Sequence, residues 1–501
     1  MDSGSADSAL SQAAARSADV GSSGAAAPSG NLYDLFASRF AANGAAACLI
    51  LEDGAVISYA KLADDVGRLA SLLVGRGVTP GDRVMAQAPK SAAYLMLYLA
   101  TLKAGGVFVP LNSAYTSAEM DYFRADAEPA LFVDQPEALL AEASKQRPLG
   151  QSVAREAQDI AVLIYTSGTT GQPKGAMLSH GALATNALGL IDAWAFTPDD
   201  VLLHALPVFH AHGLLIATHC ALLTGSAMLW LAKFDVDAVL GQLGRATVMM
   251  GVPTFYTRLL AEPRFTRSAA MNVRVFISGS APLLDATFET FEERTGKRIL
   301  ERYGMSESMV IASNPLTGER LAGTVGYAVA GTEIRVDCAE GDAGPIQIRG
   351  PSVFSGYWRK PDKTAEDMTA DGFFVTGDVG ELDADGCLRI SGRAKDLIIS
   401  GGYNVYPKEV ELALDAMEGI EESAVIGVPH PDFGEAVVAL AIGRGDEAEV
   451  LAHLRERLAR FKCPKRIIFV DELPRNAMGK VQKNLLRTAY VDCLAEPQEG
   501  A

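Results

Sequence analysis

The stretch Tyr165-Thr166-Ser167-Gly168-Thr169-Thr170-Gly171-Gln172-Pro173-Lys174-Gly175 gathers four Ser/Thr hydroxyls, three glycines and one lysine within eleven residues. Glycines let backbone N–H groups approach phosphate oxygens, hydroxyls add donors, and lysine supplies charge, so this composition suits a phosphate cradle. The spacing is not G-x-x-x-x-G-K-[ST], because the second glycine comes early and Gly175 follows the lysine. A P-loop NTPase is therefore excluded. Four segments downstream carry complementary chemistry. Tyr303-Gly304-Met305-Ser306-Glu307 offers a ring to stack on adenine, a glycine for close approach, a hydroxyl for a phosphate and a carboxylate to hold Mg²⁺ against a triphosphate. Thr376-Gly377-Asp378 ends a short apolar run, where an aspartate can accept both hydroxyl protons of a ribose. Arg393 could grip phosphate or ribose, and Pro474-Arg475-Asn476-Ala477-Met478-Gly479-Lys480 presents one lysine on a glycine-bearing loop.

These residues need a scaffold. The apolar run Ala161-Val162-Leu163-Ile164 reads as a buried strand opening into the Thr166 loop. Strands are also expected at Arg83-Val84-Met85-Ala86 and from Val107 to Leu111, flanking a helix from Ala92 to Lys103. Arg274 to Ser280 reads as a strand running into a Gly/Ser turn, with Pro282 opening the next helix. Strands alternating with helices indicate an α/β fold, in which ligands sit at the carboxyl ends of strands. After Gly344 short alternating segments around Asp383-Ala384-Asp385-Gly386 suggest hairpins. A compact α+β unit follows, with a helix from Pro407 to Met417, a strand from Ser423 to Val428 and a helix from Glu447 to Leu458. The expected organisation is a disordered tail over 1–30, a large multi-layer α/β domain over 31–395, and a small mobile C-terminal domain over 396–495.

Composition narrows the partners. The formal net charge of −17 argues against nucleic acid or an anionic membrane surface. Six scattered cysteines without a C-x-x-C pair suit reduced thiols in the cytoplasm. The first thirty residues lack the apolar core of a signal peptide. The run from Gly213 to Ala232 contains His219 and is broken by Thr224-Gly225-Ser226, so a buried helix, turn and strand are expected there, not a membrane span. His204, His210, His212 and His219 have no acidic or cysteine cluster to complete a zinc site.

Together the motifs resemble the adenylate-forming enzymes: acyl-CoA synthetases, peptide-synthetase adenylation domains and luciferases. The resemblance runs from about residue 31 to Lys480, with the motifs in the family's order. It implies ATP, Mg²⁺ and coenzyme A as reactants and cofactor. Thr166, Ser167, Gly168, Thr169, Thr170, Gly171 and Lys174 correspond to the triphosphate loop. Tyr303, Gly304 and Ser306 lie in the nucleotide motif, where Ser306 replaces the usual Thr, and Glu307 matches the magnesium glutamate. Asp378 and Arg393 match the ribose pair, Asp396 the hinge, Lys480 the adenylation lysine, and Gly402 the pantetheine tunnel. The implied reaction converts a carboxylate to an acyl-adenylate with loss of pyrophosphate, after which a thiol displaces AMP. Lys480 and Mg²⁺ offset the repulsion between carboxylate and α-phosphate, and rotation about the hinge exchanges Lys480 for Gly402. Related lysines also make Lys480 a candidate for a lysine acetyltransferase and deacetylase.

The acid pocket is expected around His210, the helix after Pro253, the Ser278–Pro282 turn and residues beside Tyr303. Arg258, Ser280 and Arg302 fall in these segments. Two arginines pointing inward would be costly without an anionic partner, which calls for a second carboxylate on the substrate. Glu301-Arg302-Tyr303-Gly304-Met305 and Ser313-Asn314-Pro315 are most similar to the malonyl-CoA synthetases of the family, making malonate, then methylmalonate, the expected acid. Another short acid, or loading of a carrier protein, is the alternative.

Overall fold

The computed structural model describes residues 30–166, 173–338, 343–400, 403–430, 433–476 and 479–494. The expected tail, apart from Gly30, lies outside them. Within them, a sheet runs in the spatial order Leu131–Val133, Arg83–Ala86, Val107–Pro110, Ile160–Thr166 and Lys174–Ser179. Its members are parallel except for the last pair, an antiparallel hairpin with Thr166 opposite Lys174. The two ends of the phosphate-type loop are thus pinned as cross-strand partners.

A second, larger sheet places Leu300–Met305, Val275–Ser278, Val248–Gly251, Val201–His204 and Ala227–Trp230 side by side and parallel. Their carboxyl ends therefore share one edge, and this edge receives His204, the Pro253 helix, the Ser278 turn and Arg302. Helix Ala92–Lys103 is buried from Ala93 to Lys103. It has no solvent face because it belongs to one continuous core that includes Phe108 and Val162 of the first sheet and Leu202 and Met250 of the second. The run after Gly213 is a buried π-helical turn His212–Ala217, helix Thr218–Thr224 and strand Ala227–Trp230. No helix among the described residues is long and apolar enough to cross a membrane.

A third, antiparallel sheet holds Glu333–Val336, Gly344–Arg349, Phe374–Leu382 and Leu388–Arg393. The turn at Asp383-Gly386 closes its last hairpin, with Asp383 Oδ1 accepting from the Asp385 and Cys387 N–H groups. A short 3₁₀ turn Ala394–Asp396 leads to the C-terminal sheet, where Ile420–His430 and Gly434–Gly443 pair antiparallel and Arg466–Val470 joins parallel. Helices Pro407–Asp415 and Glu447–Arg457 accompany this sheet. The chain is thus a large α/β domain followed by a smaller one. One expectation fails locally. Pro282 does not open a helix: the next helix is Asp285–Thr295, capped at Leu284, and residues before it form the pocket turn.

Candidate active site

Thr166 and Lys174 stand at the base of the phosphate-type loop; Ser167, Gly168, Thr169, Thr170 and Gly171 lie outside the described residues. Beside them is Glu307, whose Oε1 accepts from the Tyr357 hydroxyl at 3.1 Å and lies 3.5 Å from Thr166 Oγ1. The Lys174 ammonium sits 4.8 Å from the Tyr357 ring centroid. Burial pushes the Glu307 carboxyl above its ordinary range, against the opposing pull of Tyr357, Arg393 and Lys174. No cluster of three or more metal-type side chains occurs among the described residues. One buried carboxylate beside a hydroxyl and a lysine fits Mg²⁺ that takes its remaining ligands from phosphates and water, as that ion commonly does. Tyr357 had no sequence signal. It arrives because Trp358 N–H donates to Gly175 O and Met177 N–H to Gly356 O, which dock its segment on the hairpin.

The nucleotide side is built by strand register. Asp378 and Arg393 are direct partners across the hairpin, and Arg393 Nε stands 3.1 Å from Asp378 Oδ1. The Tyr303 hydroxyl donates to Asp378 Oδ2 at 2.6 Å, joining the third sheet to the second. Gly304 faces its own chain: a Cβ there would collide with the Met309 carbonyl, in the hairpin whose register shifts between Tyr303 and Gly304. Its close approach is therefore to backbone. Ser306 is half-buried.

Lys480 enters from the small domain. Arg475 and Val481 bridge, Asn476 N–H donates to Lys480 O at 2.9 Å, and Gly479 adopts φ 74°, which a Cβ would disfavour. A Cβ on Gly479 would also stand 3.0 Å from Thr254 Oγ1 of the large domain. Burial lowers the Lys480 amine to about 8, helped by Arg393 and opposed by Asp378. Asp396 is paired with Arg487 at 2.7 Å; burial raises its carboxyl, but Arg487, Lys483 and Lys395 outweigh this and hold it low. Gly402 lies outside the described residues.

At the edge of the second sheet, Arg302 is only 4 % exposed, yet its Nε and Nη2 make no hydrogen bond among the described residues. It lies against Gly279, whose missing side chain leaves room for the guanidinium. Ser280 follows with φ 74°, a conformation rare for a residue bearing Cβ, and its Oγ meets His212 Nδ1 at 3.2 Å. Ser278 Oγ, His210 Nε2 and His212 Nε2 are buried without hydrogen-bond partners among the described residues. Burial drives the Arg302 guanidinium down to about 10 and His210 to about 4, and burial, with Arg302 nearby, holds His212 well below the ordinary imidazole range. Both histidines are neutral at pH 7, whereas Arg302 remains charged.

Arg258 departs from expectation. It is exposed on helix Pro253–Leu260, one turn beyond Thr254, because the buried side of that helix is occupied by Tyr256 and Leu259. The argument from a costly buried charge therefore applies to Arg302 and not to Arg258. His212 joins the pocket turn through Ser280. His219 does not: it is held between Tyr98 and Phe36 in the core.

Residues 36–358 match the AMP-binding enzyme family, and residues 409–480 match the AMP-binding enzyme C-terminal domain. The chain belongs to the AMP-binding enzymes. Among relatives, a feruloyl-CoA synthase from Amycolatopsis is 37% identical over 474 residues, covering 89% of this chain and 96% of that protein. A malonate–CoA ligase from Arabidopsis thaliana is 34% identical, covering 92% and 89%. The crystal structure of ATP-bound MatB from Rhodopseudomonas palustris matches with a TM-score of 0.90 and 48% identity, covering 93% of this chain and 99% of that one. This AMP-binding enzyme is an acid–thiol ligase acting on small molecules: a carboxylic acid, ATP and CoA.

Proposed function

We propose that this CoA ligase activates malonate, with methylmalonate next in preference. The observation that carries this reading is the buried Arg302 guanidinium, without a carboxylate partner among the described residues and lying near His212, while Ser278, His210 and His212 also hold buried unpaired polar atoms. A buried cation with free donors is costly unless a ligand completes it, and a planar guanidinium suits a carboxylate. A dicarboxylate would place one carboxylate on Arg302 and Ser280 and leave the other free to attack the α-phosphate. Arg258 would approach from the rim. An acid with a single carboxylate, such as ferulate, would leave Arg302 facing an uncharged tail.

The remaining residues support the two half-reactions. Thr166 and Lys174 hold the triphosphate, Asp378 and Arg393 the ribose, and Tyr303 the adenine side. Mg²⁺ bound at Glu307 would neutralise phosphate charge. Lys480, in its amine-lowering site beside Arg393 and Asp378, donates to the reacting carboxylate and α-phosphate as the acyl-adenylate forms and pyrophosphate leaves. Turning the small domain about Asp396 then withdraws Lys480, and the CoA thiol displaces AMP to give the thioester. The test is a pyrophosphate-release assay across malonate, methylmalonate, succinate, acetate, butyrate and ferulate. Malonate is expected to lead in kcat/KM by at least about 100-fold over acetate and butyrate. Preference for ferulate or a monocarboxylate would overturn the assignment.

A further inference from the structure

We infer that Lys90 is a positioning residue for the acid pocket, fixing the tautomer of His204 and, through it, the π-helical turn that carries His212. The inference rests on the reading that the His212–Ser280–Arg302 region receives the acid. Lys90 lies between strand Arg83–Ala86 and Ser91, the cap of helix Ala92–Lys103. Its Nζ is 2.8 Å from His204 Nδ1, donates to His204 O at 2.7 Å, and lies 4.3 Å from the Trp230 ring centroid. Among the described residues it forms no ion pair; burial holds its amine well below the ordinary lysine range, with Glu52 pulling the other way, and its N–H groups are directed at an imidazole, a carbonyl and an aromatic face.

The proton on His204 is decided from both ends. His204 Nε2 is 3.0 Å from Gly213 O, and a carbonyl oxygen only accepts, so Nε2 carries the hydrogen. Burial and the neighbouring Lys90 hold the ring neutral, so Nδ1 is bare and accepts from Lys90. Gly213 O also receives the Thr218 N–H, the bond that defines the wide turn, and the Thr218 hydroxyl at 2.8 Å. Gly213 itself has no room for a side chain, since a Cβ would strike Pro207 O. The residue immediately before it, His212, reaches Ser280 Oγ and leaves Nε2 unpaired. Lys90 is thus linked to the pocket through His204, Gly213 O, the peptide joining Gly213 to His212, and the His212–Ser280 contact, without touching it. Such wide turns recur inside helices at functional sites, where they aim a side chain that regular geometry would misplace.

Lys90→Met keeps the stem and removes the donors; Lys90→Arg restores the donors. With Met, the KM for the acid is expected to rise on the order of tenfold while the KM for ATP stays within about twofold. In protein labelled with ¹⁵N-histidine, the His204 resonances, assigned with His204→Gln, are expected to move from the Nε2–H form toward a mixture of tautomers. Lys90→Arg should recover most of both effects. The kinetic arm uses whichever acid in the panel is turned over best, so failure of malonate would sink the substrate reading and leave this test intact. An unchanged acid KM in the Met variant, or equal rises in acid and ATP KM, would overturn the inference.

Discussion

Replacing Arg302 by Met separates ligand recognition from stability, because the proposed role in acid binding and the burial of the free guanidinium give the two effects opposite signs. In the free protein the guanidinium is buried with Nε and Nη2 unpaired. Its fall to about 10 corresponds to about 3 kcal/mol by which the site disfavours the charged form. Met fills a similar volume without charge or donors, so Arg302→Met is expected to stabilise the ligand-free enzyme by about 1–3 kcal/mol, raising Tm by several degrees. With the acid bound the sign reverses. Removing one partner of a buried, hydrogen-bonded charge pair costs about 3–5 kcal/mol, which is roughly 10²- to 10³-fold or more in kcat/KM for malonate. The assay pairs pyrophosphate release with thermal melts, each with and without malonate. Wild type is expected to gain Tm on adding malonate; the variant should start higher, gain nothing, and discriminate less against butyrate. A variant that is less stable than wild type without ligand and keeps malonate kcat/KM within threefold would refute the reasoning.

Lys480 predicts a pH dependence. Its amine, lowered to about 8, is cationic below that pH and loses its charge as pH rises through it. Adenylate formation, followed as kcat/KM for ATP, is expected to decline above about pH 8, and the limb should vanish in Lys480→Ala, which forms adenylate about 10²- to 10³-fold more slowly. Thioester formation from supplied malonyl-adenylate should change only a few-fold, since Lys480 is withdrawn in that step; an equal loss in both half-reactions would contradict the role. Arg258→Ala, at an exposed position, is expected to cost no more than about tenfold in malonate kcat/KM. A loss as large as that of Arg302→Met would mean that the residue folds in over the bound acid.

The histidines show where one-dimensional reading ends. His210, His212 and His219 lie within ten residues of one another, yet His212 meets Ser280 near Arg302 while His219 is clasped by Tyr98 in the core. Spacing could not separate them, because the π-helical turn at 212–217 shifts the angular position of everything after it. Arg258 and Arg302 were equivalent as arginines in pocket segments. Their exposure is set by Tyr256 and Leu259 claiming the inner face of one helix, and by Gly279 making room beside one strand. Lys90 and Tyr357 carried no signal, since each reaches its partner across more than 40 residues of chain.

By itself the sequence pointed to a large α/β domain with a smaller one, to an adenylate-forming ligase, and to Thr166, Glu307, Asp378, Arg393 and Lys480 as candidate site residues. These are local matters: a strand followed by a glycine- and hydroxyl-rich loop, or a carboxylate at a strand end, depends on neighbours a few positions away. Which arginine is buried, which histidine meets Ser280 and which stays in the core, and that Lys480 reaches Asp378 and Arg393 from another domain were decided only by tertiary structure. Burial and electrostatic environment are properties of what packs around a side chain, and those neighbours come from strands and loops far apart in the chain.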